Sequence, residues 1–377
     1  MYTLNSSYFF IIACLCWFAC IGCRSQPSEI GPNNTKIEYE RVVGGLNNPW
    51  GMVFLPNGDI LVTEKKGEIK IIRNGKLLEE PIDGVPDVYV SGQGGLMDIE
   101  LHPKYEQNGW IYLSYASSEG SGRGSNTTIA RFNFDGKRLS NKEILYKALP
   151  NTTAGAHFGS RLEFDRDGYL FFSIGDRHNR NVNPQNISRD NGKIYRILDD
   201  GSIPDDNPFI DKSGAKRAIY SYGHRNPQGL AMDPTTGKIW SHEHGPRGGD
   251  EINLIQSGRN YGWPVISYGI NYDGTVFAKS TAKAGMEQPI IYWVPSIAPC
   301  GMTFISGNKY PGWNGDLIIG SLKFGYLIHA TVVGDKIISQ EKIAKGIGRV
   351  RNVKQGRDGY LYVGVEGKGI YKLIMKQ

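Results

Sequence analysis

Short apolar runs, each led in by a glycine turn, recur along this chain from about residue 38 to its end. Six copies stand out: "PNGDILVTE" (56–64), "QNGWIYLSY" (107–115), "RDGYLFFSI" (166–174), "TTGKIWSHE" (235–243), "WNGDLIIGS" (313–321) and "RDGYLYVGV" (357–365). Asn-Gly and Asp-Gly supply the positive φ that a tight hairpin turn needs. Leu, Ile, Tyr, Phe and Val follow at strand spacing. The copies lie about 44 to 78 residues apart, and a blade of four short strands takes roughly 40 to 50 residues. A closed ring of radial sheets is what six such units build, because closure leaves few exposed edges. The pattern predicts an all-β, six-bladed β-propeller with four-stranded antiparallel blades over residues 38–377. Long inserts near 177–217 and 260–295 are expected to be the functional loops. A pair of β-sandwiches ranks below it, since the glycine-turn units run through the whole chain.

Composition supports that picture. Of 377 residues, 49 are Gly, and Tyr (21) outnumbers Phe (14), which favours short strands and tight turns. The net charge of +6 is spread out, with no Lys/Arg run longer than two residues, so no nucleic-acid stripe is expected. The N-terminus is a separate object. "YFFIIACLCWFACIGC" is too short for a comfortable membrane span and resembles a signal-peptide core. "CIGC" followed by "RSQPSE" looks like a lipoprotein cleavage box, although Cys20 replaces the usual Leu and no Lys or Arg precedes the apolar run. The expectation is a lipoprotein-type signal peptide over 1–23, a flexible linker over 24–37, and an extracytoplasmic protein attached to a membrane through a lipid on Cys23. Cys300 then stands alone in the ring and reads as a small buried hydrophobe.

Polar residues gather beside the repeat strands. "VSGQGGLMDIELHP" holds Gln93, "GAHFGSR" holds His157, and "SIGDRH" holds Asp176. "GHRNPQGLAMD" holds Arg225 and Asn226, and "HEHGPRGGDEINLI" holds Gly245, Pro246 and Asp250. "GSLKFGYL" holds Lys323, and "GIGRVRNV" holds Arg349 and Arg351. Each has an ordinary reading: a turn cap for Gln93, an Asx turn for Asp176, turn chemistry for Arg225–Asn226, a surface ion-pair face for the two arginines. In a propeller, however, segments between strands reach the mouth of the central channel, where residues distant in sequence converge. "HEH" lacks the helical spacing of a zinc protease motif. Carbonyls of a Gly-Pro turn would suit a hard cation such as Ca²⁺.

Taken in order, "NPWGMVFLPNGDILVTE", "GQGGLMDIELHP", "HFGSRLEFDRDG", "GHRNPQGLAMD", "HEHGPRGGDEINLI", "NYGWP" and "GRVRNV" resemble the glucose/sorbosone dehydrogenase family, over about Val42 to Leu373. They look most like its soluble aldose sugar dehydrogenases that use pyrroloquinoline quinone (PQQ). The resemblance implies a six-bladed propeller that oxidises aldose sugars at C1 to the lactone and passes electrons to an external acceptor. It implies His157 as the base that takes the anomeric hydroxyl proton as hydride leaves for the quinone C5. Asp176 would orient that base, and Arg225 would sit beside the quinone carbonyl. Gln93, Asn226, Lys323, Arg349 and Arg351 match positions that hold the cofactor. Gly245 and Pro246 match the turn whose carbonyls bind Ca²⁺, and Asp250 a position linked to a further structural Ca²⁺. His244 stands where glucose-type enzymes have Gln, which favours the aldose branch.

The chemistry suits those roles. Three carboxylates on PQQ match a Lys and an Arg pair, and a His in its ordinary range can take a proton at neutral pH. The glycines around His157 would leave bare backbone for a flat cofactor and a sugar. The alternative is a non-catalytic propeller that binds a glycan or a protein, since fold alone does not give function. Monomer and dimer both remain open in the sequence.

Overall fold

The computed structural model describes residues 28–29 and 36–376. They form six four-stranded antiparallel sheets, taken in chain order around a ring. Blade 1 holds Pro49–Phe54, Ile60–Glu64, Glu68–Arg73 and Lys76–Leu77; blade 2 holds Leu96–Leu101, Trp110–Ser117, Asn126–Phe134 and Leu139–Lys147. Blade 3 holds Leu162–Phe164, Leu170–Ile174, Lys193–Ile197 and Ile219–Tyr222; blade 4 holds Pro227–Met232, Ile239–Glu243, Asp250–Leu254 and Ile291–Trp293. Blade 5 holds Pro299–Phe304, Leu317–Ser321, Leu327–Val333 and Lys336–Ile343. Blade 6 takes Val350–Gln355, Leu361–Val365 and Gly369–Lys376 from the C-terminal end and Lys36–Val43 from the N-terminal end. The ring is therefore closed by strand pairing between its two ends, and begins two residues before the expected boundary. Ser28–Glu29, inside the expected linker, pair in parallel with Ser339–Gln340 of blade 5. The expected signal peptide and Cys23 lie outside the described residues. Helix is confined to Tyr105–Asn108 among the described residues, and none is long and apolar enough to cross a membrane.

The six repeats occupy one equivalent place. Each turn joins the innermost strand of a blade to its second strand. Its glycine has positive φ in every copy, from +66° at Gly109 to +89° at Gly58. The apolar runs that follow are the second strands, buried almost throughout. Their near-continuous hydrophobicity has a simple cause. Successive side chains point to opposite faces, and each face of a blade packs on a different neighbour. Leu61 joins the cluster shared with blade 2, while Val62 joins the one shared with blade 6. Phe171 and Phe172 divide in the same way between blades 4 and 2, and Ile318 and Ile319 between blades 6 and 4.

Two features shape the site end of the ring. Five of the six inner strands carry a register shift near their first residues, as at Pro49/Met52 and Pro299/Met302. Bulges of this kind re-aim side chains beside functional sites. Below that level, Arg161 of blade 3 ties the inner strands together. Its Nε donates to the Gln228 carbonyl at 2.8 Å and its Nη1 to Asp98 Oδ1 at 3.1 Å. Nη1 also reaches the Trp50 carbonyl, and Nη2 the Arg351 carbonyl at 2.9 Å and Cys300 Sγ at 3.6 Å. One buried guanidinium so contacts all five other blades. Cys300 is buried as expected, but among polar partners: its Sγ lies 3.5 Å from Gln228 Oε1 and 3.1 Å from the Arg351 carbonyl.

Candidate active site

His157 and Asp176 meet where the approach to blade 3 passes the end of its second strand. His157 Nδ1 lies 2.7 Å from Asp176 Oδ1, with the residues 8% and 1% exposed. The backbone makes this crossing close. A Cβ on Gly175 would sit 2.3 Å from the His157 carbonyl, and one on Gly159 under 3 Å from residues 173–175. Gly92 and Gly155 likewise bring two backbones together, since a Cβ on Gly92 would meet the Gly155 carbonyl at 2.1 Å. The glycines around His157 therefore serve backbone-to-backbone packing, a correction to the expectation that they clear space for ligands. His157 itself is left-handed (φ +58°), and its N–H donates to Gln93 Oε1 at 2.9 Å. This bond spans 64 positions, so Gln93 acts on the His157 segment and fixes the histidine instead of capping a turn of its own.

Asp176 is held on every side. Oδ1 also accepts the His178 N–H at 2.8 Å, which is the Asx turn, and Oδ2 accepts Trp263 Nε1–H at 2.8 Å. Burial pushes its carboxyl up, but His157, Arg225 and the Trp263 donor outweigh burial and keep it below the ordinary carboxylate range. For His157, burial, with help from Arg225 and His178, pulls the imidazole down to about 4 against the opposing effect of Asp176. This imidazole is thus less basic than the ordinary one expected from sequence, because desolvation outweighs its carboxylate partner. It is neutral and able to accept a proton throughout the neutral range. The insert after Asp176 folds onto buried Lys193, whose ammonium donates to the carbonyls of Asn183, Pro184 and Asn191 at 2.6 to 3.1 Å.

Arg225 and Asn226 enter from the start of blade 4. The Arg225 N–H donates to Glu243 Oε2 at 2.6 Å and its Nη1 to the His244 carbonyl at 3.0 Å. Glu243 is aligned by His224 Nδ1 at 2.9 Å, and His224 Nε2 lies 2.8 Å from Ser221 Oγ. This Ser–His–Glu series is fully buried and orients Arg225. Asn226 Oδ1 accepts the Gly159 N–H at 3.1 Å, but its buried Nδ2 has no partner.

Two adjoining cavities open at this end. One, of about 510 Å³, is lined by His157, Asp176, His178, Arg225, Trp263 and Tyr272 among others. The other, of about 960 Å³, is lined by Lys65, Arg247, Lys323, Arg349 and Arg351, with Glu366 as its one carboxylate. Gln93, Pro246 and Tyr272 border both. Of the sequence-predicted residues, His157, Asp176 and Arg225 line the smaller cavity, Lys323, Arg349 and Arg351 the larger, and Gln93 and Pro246 both, while Asn226, Gly245 and Asp250 line neither. Arg349 and Arg351 do form an ion-pair face, sharing Glu366 at 2.8 Å each. Lys323 has no acidic partner among the described residues, and its ammonium lies 4.9 Å from the Phe324 ring. In the Gly245–Pro246 turn, Asp250 Oδ1 accepts the Gly245 N–H at 2.8 Å and Oδ2 the Ala298 N–H at 2.7 Å. Asp250 thereby shapes the turn through Oδ1 and ties it to the entry of blade 5 through Oδ2. Among the described residues no three His, Cys, Asp or Glu side chains converge as a metal site, so a cation here would rely on backbone carbonyls.

Sequence reasoning passed over Trp263, Glu366, Lys65 and Arg161. A signal existed for two of them. Lys65, Asp176, His244, Lys323 and Glu366 all fall seven or eight residues after the turn glycine of their repeat. Aligning the repeats on that glycine points to Lys65 and Glu366. Trp263 lies within "NYGWP", but its partner is 87 positions away.

The structure is a six-bladed propeller whose mouth holds a buried imidazole–carboxylate pair beside a cation-lined cavity. Comparison with known proteins gives its family. The sequence model of the glucose/sorbosone dehydrogenase family matches residues 46–373. The aldose sugar dehydrogenase YliI of Escherichia coli is 43% identical over 346 residues, covering 90% of this chain and 92% of that protein. The crystal structure of the soluble aldose sugar dehydrogenase from Escherichia coli in the apo-form matches with a TM-score of 0.85 and 40% identity, covering 90% of this chain and 100% of that one. The PQQ-bound aldose sugar dehydrogenase from Streptomyces coelicolor matches with a TM-score of 0.75 and 27% identity, covering 92% and 99%. The chain belongs to the glucose/sorbosone dehydrogenase family.

Proposed function

We propose that this protein oxidises aldose sugars at C1 to the lactone, with PQQ as its cofactor, and passes the electrons to an external acceptor. The carrying observation is the His157–Asp176 pair, 2.7 Å apart, opening on a cavity that adjoins the cation-lined one. Residues of that second cavity fit a flat tricarboxylate. Five cations face one carboxylate, and the orphaned Asn226 Nδ2 is a buried donor awaiting an acceptor. Lys323, Arg349 and Arg351 would hold the carboxylates, with Gln93 at the edge shared with the His157 cavity; the resemblance adds Asn226, which is fully buried and lines neither cavity. When bound, PQQ supplies the two-electron acceptor for the C1 hydride.

The chain's own groups do the rest. Asp176 bonds Nδ1 of His157, which leaves Nε2 as the atom that takes the proton of the anomeric hydroxyl. Arg225 brings a fixed positive charge to the same cavity, where negative charge develops. The carbonyls of Gly245 and Pro246 offer hard oxygen ligands to a Ca²⁺ ion, and Asp250 sets the turn that presents them. With the N-terminal pattern, this reading places the enzyme outside the cytoplasm, anchored by a lipid on Cys23. The test is to add PQQ and Ca²⁺ to the purified protein and assay aldoses with an artificial electron acceptor. Turnover that His157→Ala abolishes is expected. No turnover from an intact fold would overturn the reading.

A further inference from the structure

Trp263 bonds the one carboxylate oxygen of Asp176 that His157 leaves free. The indole is 7% exposed and has little freedom to move. The Trp263 backbone N–H donates to the Gly223 carbonyl at 2.9 Å, and the Trp263 backbone carbonyl accepts Gln185 Nε2–H at 2.9 Å. Gln185 and Asn260 exchange two hydrogen bonds, at 3.0 and 2.8 Å, so the inserts of blades 3 and 4 are clamped together beside the indole. On its other side Trp263 meets the Phe277 ring edge-on at 5.2 Å. The Arg180 guanidinium covers Phe277 at 4.4 Å and donates to Asn271 Oδ1 at 2.8 Å. A continuous path runs from the wall of the small cavity (Asn271, Arg180) through Phe277 and Trp263 to Asp176 and His157.

We infer that Trp263 is a positioning residue for the His157–Asp176 pair, and that it couples the pair to the packing of the two inserts forming the cavity wall. This goes beyond the proposed function and rests on its reading of His157 as the base. An N–H bonded to the second oxygen shares the carboxylate's negative charge, so less of it acts on the imidazole. It also fixes the carboxylate plane, and with it the ring. Arg225 lies 5.3 Å from the face of the same indole, so one side chain touches two of the three groups the proposed reaction needs. The other charged or titratable groups around the pair are His178 beside His157, and Arg177 and Lys193 near Asp176. None of them hydrogen-bonds Trp263.

The test uses cofactor-free protein with ¹⁵N-labelled histidine, titrated by NMR, with His157 assigned from the signals lost in His157→Gln. Trp263→Phe keeps an aromatic ring in place, removes the donor and gives up one ring of the indole. The His157 titration is expected to move up by about half a pH unit or more, because more carboxylate charge then acts on the imidazole. In the PQQ-loaded enzyme the acid limb of kcat should move up by the same amount. An unmoved His157 titration in folded Trp263→Phe overturns the inference, even if activity falls. Should Trp263→Phe fail to fold, Phe277→Leu keeps the indole N–H and removes its packing. A smaller upward shift supports the coupling, and no shift overturns it. Wild-type protein that shows the NMR behaviour but no turnover with PQQ would defeat the proposed function and leave this inference standing.

Discussion

His157 Nδ1 lies 2.7 Å from Asp176 Oδ1, and the same oxygen accepts the backbone N–H of His178 at 2.8 Å. One carboxylate therefore fixes both the His157 ring and the first turn of the insert that walls its cavity. Asp176→Asn keeps the shape and removes the charge. It should lower kcat by about 10²- to 10⁴-fold, the usual worth of a positioned base. PQQ affinity should stay within about twofold, because Asp176 is outside the cation set that would hold a carboxylate. Steady-state kinetics with a PQQ titration separates the two effects.

The same burial predicts acid sensitivity. His157 is pulled to about 4 in the fold, against about 6.5 in an unfolded chain. Between those values the unfolded chain binds the extra proton, so stability is complete above about pH 6.5 and falls as pH drops toward 4. Burial lowers His242, His244 and His102 as well, with the same sign. Melting temperature should fall steadily from pH 6.5 to 4.5. His157→Gln should remove about 2–3 kcal/mol of that dependence. Thermal melts of both proteins across this window check it.

Much of the fold was legible because its cause is local. Each blade needs a positive-φ glycine at the same turn and an apolar run packed on both faces, and both leave marks in sequence. Closure by Lys36–Val43 was less legible, since an outer strand half open to water has a weaker pattern. In the site, His157, Asp176, Arg225 and Asn226 were found as neighbours of repeat strands. The division of the site between the His157 cavity and the one lined by Lys323, Arg349 and Arg351 depends on how far each loop folds over the mouth, which spacing does not encode. Arg161 was hidden for another reason. Its partners lie in five other blades, and an arginine at the start of a strand looks like surface until the ring closes.

That arginine carries the next prediction. Arg161 and Asp98 are 4% and 5% exposed and 3.1 Å apart. Removing one member of a buried pair leaves an uncompensated charge and costs about 3–5 kcal/mol. Arg161→Met should lose stability on that scale in urea unfolding. Adding Asp98→Asn should recover part of the loss, so the double variant falls short of the sum of the singles. Strict additivity would show that the two groups do not act as a pair.

Glu366 bears on how the mouth would receive an anion. It lies 2.8 Å from Nε of both Arg349 and Arg351. Burial pushes its carboxyl up, but the two guanidiniums outweigh burial and hold it ionised below the ordinary range. Without ligand it offsets one of five positive charges around the large cavity. A PQQ carboxylate would compete with it for the same donors. Glu366→Gln should therefore tighten PQQ binding by about 3- to 10-fold at low salt, with the gain shrinking as salt screens the exposed cations. Arg351→Ala should weaken binding by tenfold or more, the worth of about one charge-assisted hydrogen bond. PQQ titrations at two ionic strengths measure both. If Arg351→Ala left affinity unchanged, the arginine pair would belong to Glu366 alone, and the cofactor would have to be held by Lys323, Gln93 and Asn226.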